Sequence, residues 1–271
     1  MTSDRPAAMS YAELLPGDAL ARHVAAYWHF EVRPGAGEIL HSVPLTGGCI
    51  LSVAVARGSV ILAGPRVTPL KVPVRSGDRF VGALFWPGGA TPLFRRPASD
   101  IRDRVLMVSE LVDPAWSERL TAALCGRTGG PSASTDVVFA SALDSALGEL
   151  LEGSPALDDK VMTAVLRIIQ SDGGQSISAL AEGVGLSPRH LRRRFVQATG
   201  LTPKELVRIR RLRRVAVDAA RAQSVDWSDL AARRGFADQA HMTGEFKRLT
   251  GHTPASFLRH TRRIAHGKMR D

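Results

Sequence analysis

The most constraining feature of this chain is an internal repeat in its C-terminal part. Residues 176–188 (SISALAEGVGLSP) align with residues 226–238 (DWSDLAARRGFAD). After one inserted residue, residues 195–203 (FVQATGLTP) align with residues 246–254 (FKRLTGHTP). Each copy predicts a short helix, a tight turn and a longer helix, so we expect two helix-turn-helix units.

Two glycines mark the predicted turns. Gly185 and Gly235 follow the predicted short helices, which cover residues 177–184 and 227–234. Glycine adopts the left-handed conformation of such a turn without a Cβ clash. The apolar residue after each glycine is therefore expected to enter the core between the helices.

The longer helix of the first unit is rich in hydrogen-bond donors. Leu191 and Phe195 are four residues apart and should face the core. The outward residues, predicted to contact DNA, are Arg189, His190, Arg192, Arg193 and Gln197. A guanidinium group can bridge O6 and N7 of guanine in the major groove. We expect the arginines at 192–194 to have no acidic partner nearby.

The longer helix of the second unit has fewer donors on its outer side. Met242, Phe246 and Leu249 form its predicted buried stripe. The outward residues predicted to contact DNA are Gln239, His241, Thr243, Lys247 and Arg248. Gly244 offers no side chain and costs a helix about 1 kcal/mol relative to alanine. Glu245 would repel phosphate if it faced the DNA backbone, which Lys247 and Arg248 partly offset. The second unit is therefore predicted to read sequence less.

A basic helix is predicted between the two units, over residues 204–222. Its predicted apolar side consists of Leu206, Ile209, Leu212, Val215 and Ala219. Such a helix spans about 30 Å, which suits two recognition helices placed one DNA turn, about 34 Å, apart. The alternative is a pair of packed helical hairpins that dock another protein.

The net charge of the chain is concentrated in this region. Residues 160–271 contain 22 Lys and Arg against 9 Asp and Glu, whereas residues 1–159 contain 14 and 17. This asymmetry indicates a polyanionic partner. A basic surface that serves only solubility is the alternative.

The N-terminal part predicts strands, because short apolar runs alternate with Gly and Pro. The predicted strands cover residues 24–32, 50–56, 60–63, 67–74 and 80–86. An antiparallel, barrel-like sheet is the simplest assembly, with a hairpin turn at Arg57 and Gly58. Helical spacing then begins at Ser99, through Ile101, Val105 and Val108.

Two further helices and a connector are predicted before the repeat. Asp113 caps a helix that begins at Pro114 and stops at Gly126. A flexible connector over residues 126–135 precedes a helix over residues 136–151, either a core-facing helix of the first domain or a dimer contact. The expected architecture is α+β, with a β-rich domain (1–125), a linker and connecting helix (126–157) and an all-α double helix-turn-helix domain (158–271).

Composition argues against several other classes. The two cysteines, Cys49 and Cys125, are far apart, so neither a disulfide framework nor the cysteine cluster of a DNA-repair methyltransferase is expected. The histidines at 23, 29 and 41 lack the spacing of a cupin metal site. No apolar run suits a membrane span or a signal peptide, so we expect a cytoplasmic protein. We expect no enzyme, cofactor or metal.

Residues 160–260 resemble the DNA-binding domain of AraC/XylS-type transcription regulators. The motifs that carry the resemblance are GLSPRHLRRRF, GLTP, GFADQAHMTGEFKRLTG and TPASF. The resemblance implies seven helices, a long linker helix, and base contacts from outward positions. Those positions are Arg189, Arg192 and Arg193 in the first unit and Gln239, Ala240 and Gly244 in the second.

The N-terminal part looks like less characterised sensory domains attached to some such regulators. The segments HSVPLTGGCILSV, AGPRV and FWPGGATPLF carry this likeness. It implies a cupin-like β domain that binds a small effector. The expected partner of the chain is double-stranded DNA; RNA polymerase, a small-molecule effector and a second copy of the chain are further candidates, and no membrane partner is expected.

Overall fold

The computed structural model describes residues 8–125, 133–222, 224–261 and 264–266. Its strands are β1 (Met9–Leu14), β2 (Val24–Val32), β3 (Glu38–Val43), β4 (Ile50–Ala54), β5 (Ser59–Ala63), β6 (Leu70–Arg75), β7 (Arg79–Phe85), β8 (Val105–Met107) and β9 (Ile264–His266). They form a seven-stranded sheet in the order β8-β5-β4-β7-β2-β1-β9 and a separate β3-β6 ribbon. The pairings are antiparallel except for β1 with β9. The predicted antiparallel sheet is confirmed, as an open sheet facing a ribbon.

The helices between β7 and residue 151 are α1 (Ala90–Phe94), α2 (Ala98–Ile101), α3 (Pro114–Cys125) and α4 (Ala133–Leu151). The prediction of one helix through Ile101, Val105 and Val108 is wrong. A helical turn ends at Ile101, Val105 begins an edge strand on β5, and Val108 begins a 3-10 turn. Asp103 separates these pieces in a left-handed conformation (φ 56°).

Helices α3 and α4 pack on one face of the large sheet. Asp113 Oδ1 accepts a hydrogen bond from the Ala115 N–H, so the predicted N-terminal cap of α3 is confirmed. Phe139, Leu143 and Leu147 of α4 are buried in the core beneath β4 and β7, which confirms the core-facing alternative for this helix. A flexible connector was predicted over residues 126–135. Residues 126–132, which include Gly126, lie outside the described residues, and residues 133–135 already belong to α4.

Seven helices follow in the described C-terminal region, as the resemblance implied. They are α5 (Asp159–Gln170), α6 (Ile177–Glu182), α7 (Pro188–Thr199), α8 (Pro203–Arg221), α9 (Trp227–Arg233), α10 (Gln239–Thr250) and α11 (Pro254–Thr261). One buried cluster joins α5, α6 and α7 to the start of α8. A second joins the rest of α8 to α9, α10 and α11. All five residues predicted for the apolar side of α8 are buried. No helix among the described residues is long and apolar enough to cross a membrane.

The N-terminal domain packs against both helical clusters. Arg102 donates hydrogen bonds to both carboxylate oxygens of Glu205, at 2.7 and 3.2 Å, and to the Gly200 carbonyl at 3.1 Å. On the other cluster, Ser42 Oγ lies 2.8 Å from His252 Nε2. The β-sheet domain therefore touches each helix-turn-helix unit directly.

Candidate nucleic-acid interface

The turn of each helix-turn-helix unit is built in the same way. Gly185 and Gly235 have φ values of 62° and 70°, which confirms the predicted left-handed turns. We call α5 the scaffold helix of the first unit and α8 that of the second. A basic side chain from each scaffold helix donates to the glycine carbonyl of its unit: Lys160 Nζ at 3.2 Å and Arg211 Nη1 at 3.1 Å. The repeat seen in sequence is thus also a repeat of tertiary contacts.

Both recognition helices, α7 and α10, begin at a side-chain cap. The Ser187 hydroxyl accepts from the His190 N–H at 3.3 Å, and Asp238 Oδ1 accepts from the His241 N–H at 2.6 Å. Both helices end at a glycine in the left-handed conformation, Gly200 and Gly251. Such caps satisfy terminal N–H and C=O groups, and they fix where each outer face begins and ends.

An ion pair joins each recognition helix to its scaffold helix. The recognition helix supplies the arginine in the first unit and the carboxylate in the second. Arg194 on α7 donates from Nε and Nη2 to both oxygens of Asp158, each at 2.7 Å. At the equivalent place in the second unit, Arg208 on α8 donates to both oxygens of Glu245 on α10, at 2.6 and 2.5 Å. These bidentate pairs orient the two helices.

The ion pairs correct two sequence-based expectations. Arg194 does have an acidic partner, so of the three consecutive arginines only Arg192 and Arg193 form no ion pair within the described part of the chain. Glu245 does not face outward as a free carboxylate, because Arg208 and Arg248 both bind it and its side chain is only 16% exposed. Its charge is neutralised within the second unit.

The outer face of α7 is fully open. All five side chains predicted to contact DNA from this helix are exposed. They are Arg189, His190, Arg192, Arg193 and Gln197. Leu191 and Phe195 are buried on the opposite side, as predicted. This helix presents several guanidinium groups to solvent from one rigid, capped element.

On the outer face of α10, more side chains are hydrogen-bonded to other groups of the protein than on α7. Gln239 Oε1 accepts from the Ser228 hydroxyl at 3.0 Å, and His241 Nδ1 accepts from the Ala237 N–H at 3.3 Å. Arg248 is bound to Glu245, and Thr243 is half-buried. Lys247 is exposed. Of the predicted set, Lys247 is therefore the best placed to bind a phosphate.

Gly244 leaves a gap in the middle of this face. A Cβ built on Gly244 would meet no atom within 4 Å, and the residue is exposed. Neither packing nor backbone conformation requires glycine here. The gap is therefore a property of the outer surface alone.

Arg208 and Arg211 organise the second unit, although the sequence did not single them out. Both lie on α8, which was predicted only as a basic helix. The repeat supplies only part of the signal. Asp158 precedes Arg208 by the 50-residue offset of the repeat, whereas Lys160 and Arg211, which make equivalent contacts, are 51 residues apart.

Several histidines and both cysteines of the described residues are held by contacts within the protein. His23 Nδ1 lies 2.9 Å from the Gly89 carbonyl, while His41 lies 5.6 Å, between ring centroids, from His260. Burial, and then the nearby His260, lower the pKa of His41 to about 4. The described groups of His, Cys, Asp and Glu include none arranged to hold a metal ion.

The two thiols are poor nucleophiles. Burial raises the pKa of Cys49 to about 12. Burial also raises the pKa of Cys125, whose Sγ donates to the Val55 carbonyl. The thiolate is the nucleophilic form of cysteine, and little of it exists at neutral pH when the pKa is raised.

Family comparisons divide the chain in the same way. A helix-turn-helix domain family matches residues 180–260, a winged helix-turn-helix DNA-binding family matches residues 158–195, and a domain family of unknown function matches residues 12–107. The chain is 39% identical over 92 residues to the "probable transcription factor PqrA" of Proteus vulgaris, which covers 33% of this chain and 72% of PqrA. The chain belongs to the AraC/XylS family of transcription regulators.

Two other relatives of this AraC/XylS regulator match only part of the chain. It is 35% identical over 99 residues to the bifunctional transcriptional activator and DNA repair enzyme Ada of Escherichia coli, which covers 36% of this chain and 27% of Ada. An AraC-type transcriptional regulator structure from Chromobacterium violaceum shares 25% identity over 38% of this chain and 91% of that chain, with a TM-score of 0.34. The chain thus spans only about a quarter of Ada's length.

Proposed function

We propose that this AraC/XylS regulator recognises its DNA sequence chiefly through α7. The observation that carries the proposal is the contrast between the two outer faces. Arg192 and Arg193 are exposed and form no ion pair within the described residues, whereas Gln239 and Arg248 are engaged by protein partners. A side chain that must first leave a protein partner loses part of what a base contact contributes.

The second unit is proposed to position the protein on the duplex. Lys247 is exposed near the C-terminal end of α10 and suits a phosphate contact. The linker helix α8 has 19 residues and spans about 28 Å, which is compatible with recognition helices in successive major grooves. Phosphate contacts fix register without carrying sequence information themselves.

The test is fluorescence anisotropy with a duplex that the full-length protein selects from random sequence. Arg192→Ala and Arg193→Ala should each weaken binding by about 1–3 kcal/mol and relax preference at particular bases. Gln239→Ala should cost less. Equal losses at Gln239 and Arg192 would refute the ranking of the two units.

Salt dependence separates this proposal from a protein-docking bundle. A DNA reader releases counterions on binding, so its affinity must fall steeply as salt increases. Lys247→Ala should weaken binding to all sequences similarly and reduce the salt slope by about one. A flat salt response would favour protein docking.

The remaining parts of the proposal concern partners. We propose that the N-terminal domain receives a small effector, and that RNA polymerase and a second copy of the chain are binding partners on DNA. Regulation by an effector requires that it bind one arrangement of the domains better than another. We further propose that the protein acts by binding and without catalysis, a view supported by the raised thiol pKa values and by the family. The division at residues 126 and 158 also remains a proposal, with α4 packed in the first core.

A further inference from the structure

Three imidazole rings lie close together where the β3-β6 ribbon meets the second helix-turn-helix unit. They belong to His41 on β3, His252 in the turn after α10, and His260 on α11. The ring centroid of His260 is 5.6 Å from that of His41 and 5.6 Å from that of His252. These three residues and Ser42 are called the histidine seam below.

The Ser42 backbone requires one of these rings to be neutral. Its N–H donates to His260 Nε2 at 3.3 Å. An imidazole nitrogen accepts a hydrogen bond only when it carries no proton, so His260 is unprotonated at Nε2 in the docked arrangement. Protonation of Nε2 would set two N–H groups against each other, and the hydrogen bond would be lost.

His41 is enclosed in the same seam. Its ring packs on Phe30 with centroids 4.6 Å apart, and its buried Nδ1 has no hydrogen-bond partner within the described residues. Burial, and then the nearby His260, lower the pKa of His41 to about 4. A proton on His41 would therefore add a charge that nothing in the described surroundings neutralises.

The charged group that faces the seam from β6 is also basic. Lys71 lies opposite Ser42 across the ribbon, and burial, and then the charge of Lys71, lower the pKa of His252. Both nitrogens of His252 meet hydroxyl groups, Nε2 at 2.8 Å from Ser42 Oγ and Nδ1 at 3.2 Å from Ser256 Oγ. Among the described residues no carboxylate opposes these shifts at His41 or His252. Each proton added to the seam therefore meets like charge.

The seam lies beside the attachment of α11 to the sheet domain. After α11, strand β9 pairs in parallel with β1, with Ile264 opposite Met9. Ile264 packs on the apolar cluster that contains Met9 and Phe30. Arg259, which precedes His260 on α11, is exposed. Apolar packing, a short strand pairing and the imidazole contacts therefore hold the second unit on the N-terminal domain.

The first unit is held by groups that keep their charge near neutral pH. Arg102 binds Glu205 and the Gly200 carbonyl. Burial alone would raise the pKa of Glu205, but hydrogen bonds from Arg102 and Thr202 lower it. Arginine stays protonated throughout this range. The two attachments of the N-terminal domain therefore differ in their response to acid.

We propose that the histidine seam is a pH-sensitive attachment, which releases the second helix-turn-helix unit from the N-terminal domain in mild acid while the first unit stays docked. Histidine is the side chain whose charge ordinarily changes between pH 5 and 8. Detachment lets the rings take up protons that the docked arrangement excludes. The contribution of His41 to docking is full above pH about 6.5 and is lost as pH falls toward 4. This device goes beyond the proposed function, since it requires neither DNA nor an effector.

The size of the effect follows from His41 alone. At pH about 5.5 a free imidazole with a pKa of about 6.5 is about ten parts protonated to one part neutral. A docked ring with a pKa of about 4 is almost entirely neutral at the same pH. Acidification from pH about 7.5 to about 5.5 therefore favours the detached state about tenfold. Loss of the hydrogen bond from Ser42 to His260 adds to this.

The test is hydrogen exchange of single amides, followed by NMR on the full chain without DNA. The Ser42 N–H reports detachment, because its hydrogen bond crosses the seam. The Phe85 N–H, which donates to the Cys49 carbonyl in the large sheet, is the control for global unfolding. After correction for intrinsic exchange rates, Ser42 protection should fall about tenfold between pH about 7.5 and about 5.5, with Phe85 unchanged. Unchanged protection at Ser42, or equal losses at both amides, overturns the proposal.

Variants assign the response to the rings. His260→Gln keeps an acceptor for the Ser42 N–H but does not titrate, and His41→Phe keeps a ring without a titrating nitrogen. The double variant should lose less than about threefold of its Ser42 protection over the same pH range. His190→Gln removes an exposed histidine from α7 and should keep the full response. A double variant that keeps the full tenfold response would overturn the assignment.

His260→Lys is the converse test. Lysine carries a charge and no acceptor, so Ser42 should exchange at pH about 7.5 as it does at pH about 5.5 in the unaltered protein. Phe85 protection verifies that this variant is folded, and retained Ser42 protection in the folded variant would contradict the proposal. The Gly200 amide, beside Ala98 at the first unit, should keep its resonance position throughout. A shift at Gly200 that follows Ser42 exchange would overturn the selectivity for the second unit.

Discussion

The ion pair between Arg208 and Glu245 should be a principal contact that holds α10 on α8. Two short hydrogen bonds join the side chains, which are 28% and 16% exposed. Hydrogen bonds to charged groups contribute about 1.5–3 kcal/mol when buried, and partial exposure reduces this value. We expect Glu245→Gln to cost about 1–2 kcal/mol, since the amide retains one acceptor. Arg208→Gln should cost about 2 kcal/mol, because it leaves the carboxylate with Arg248 alone.

The double variant isolates the interaction itself. Arg208→Gln with Glu245→Gln should cost less than the sum of the single changes, by a coupling energy of about 1–2 kcal/mol. The matched control is the exposed pair Arg233 and Asp229 on α9, with side chains 63% and 57% exposed. Its coupling should be about 0.3–0.5 kcal/mol, as for other helical surface pairs.

Native-state hydrogen exchange of the α10 amides is the appropriate assay. It reports local opening within the full chain, whereas a single unfolding transition assumes that both domains unfold together. A coupling energy at Arg208 and Glu245 no larger than that of the control pair would refute the reasoning. The bidentate geometry would then contribute orientation without measurable stability.

Three further predictions test other features. Gly244→Ala should stabilise the protein by about 0.5–1 kcal/mol in thermal unfolding, because the site is open and helical. Gly200→Ala should instead destabilise it by about 2 kcal/mol, since φ is 70° and the added Cβ would lie 2.7 Å from the Ala98 carbonyl oxygen. Burial alone would raise the pKa of Glu205, but hydrogen bonds from Arg102 and Thr202 lower it below 4.5. The Glu205 carboxylate therefore contributes its full stability above pH about 4.5, and this contribution is lost as the pH falls through the lower pKa of the folded state. Arg102→Ala removes a partner of this carboxylate, so its stability deficit relative to the unaltered protein should shrink as the pH falls. Acid titrations of both proteins followed by circular dichroism measure this difference.

Local sequence patterns predicted the helical region well. Every residue predicted on the apolar side of α8 is buried, and both turn glycines have positive φ values. These features depend on helical periodicity and on backbone conformations that few residues adopt, so they are visible in a short window.

Tertiary partners were not predictable in the same way. Arg194 and Asp158 are 36 residues apart, and Glu245 is 37 residues from Arg208, so only the fold shows that they meet. The error over residues 99–108 has a related cause. Ile101, Val105 and Val108 are at helical spacing, but they lie in three different elements: a helical turn, an edge strand and a 3-10 turn. Pairing with β5 selects the strand at Val105. Strands β1 and β3 were also missed: β1 pairs with the next strand, β2, whereas β3 pairs with β6, beyond two intervening strands.

The N-terminal domain holds the same structural element in both units. Each recognition helix ends in a Gly-x-Thr-Pro turn, and the Gly200 turn contacts Ala98 and Arg102. In the second unit the turn contacts Lys71 and Ser42: a Cβ built on Gly251 would lie 3.2 Å from Lys71 Cε, and Ser42 binds His252.

The two turns belong to the two helix-turn-helix units that α8 joins, so the N-terminal domain contacts both of the units whose separation α8 sets. A rotation of one unit relative to the other must break contacts at one turn or strain those at the other.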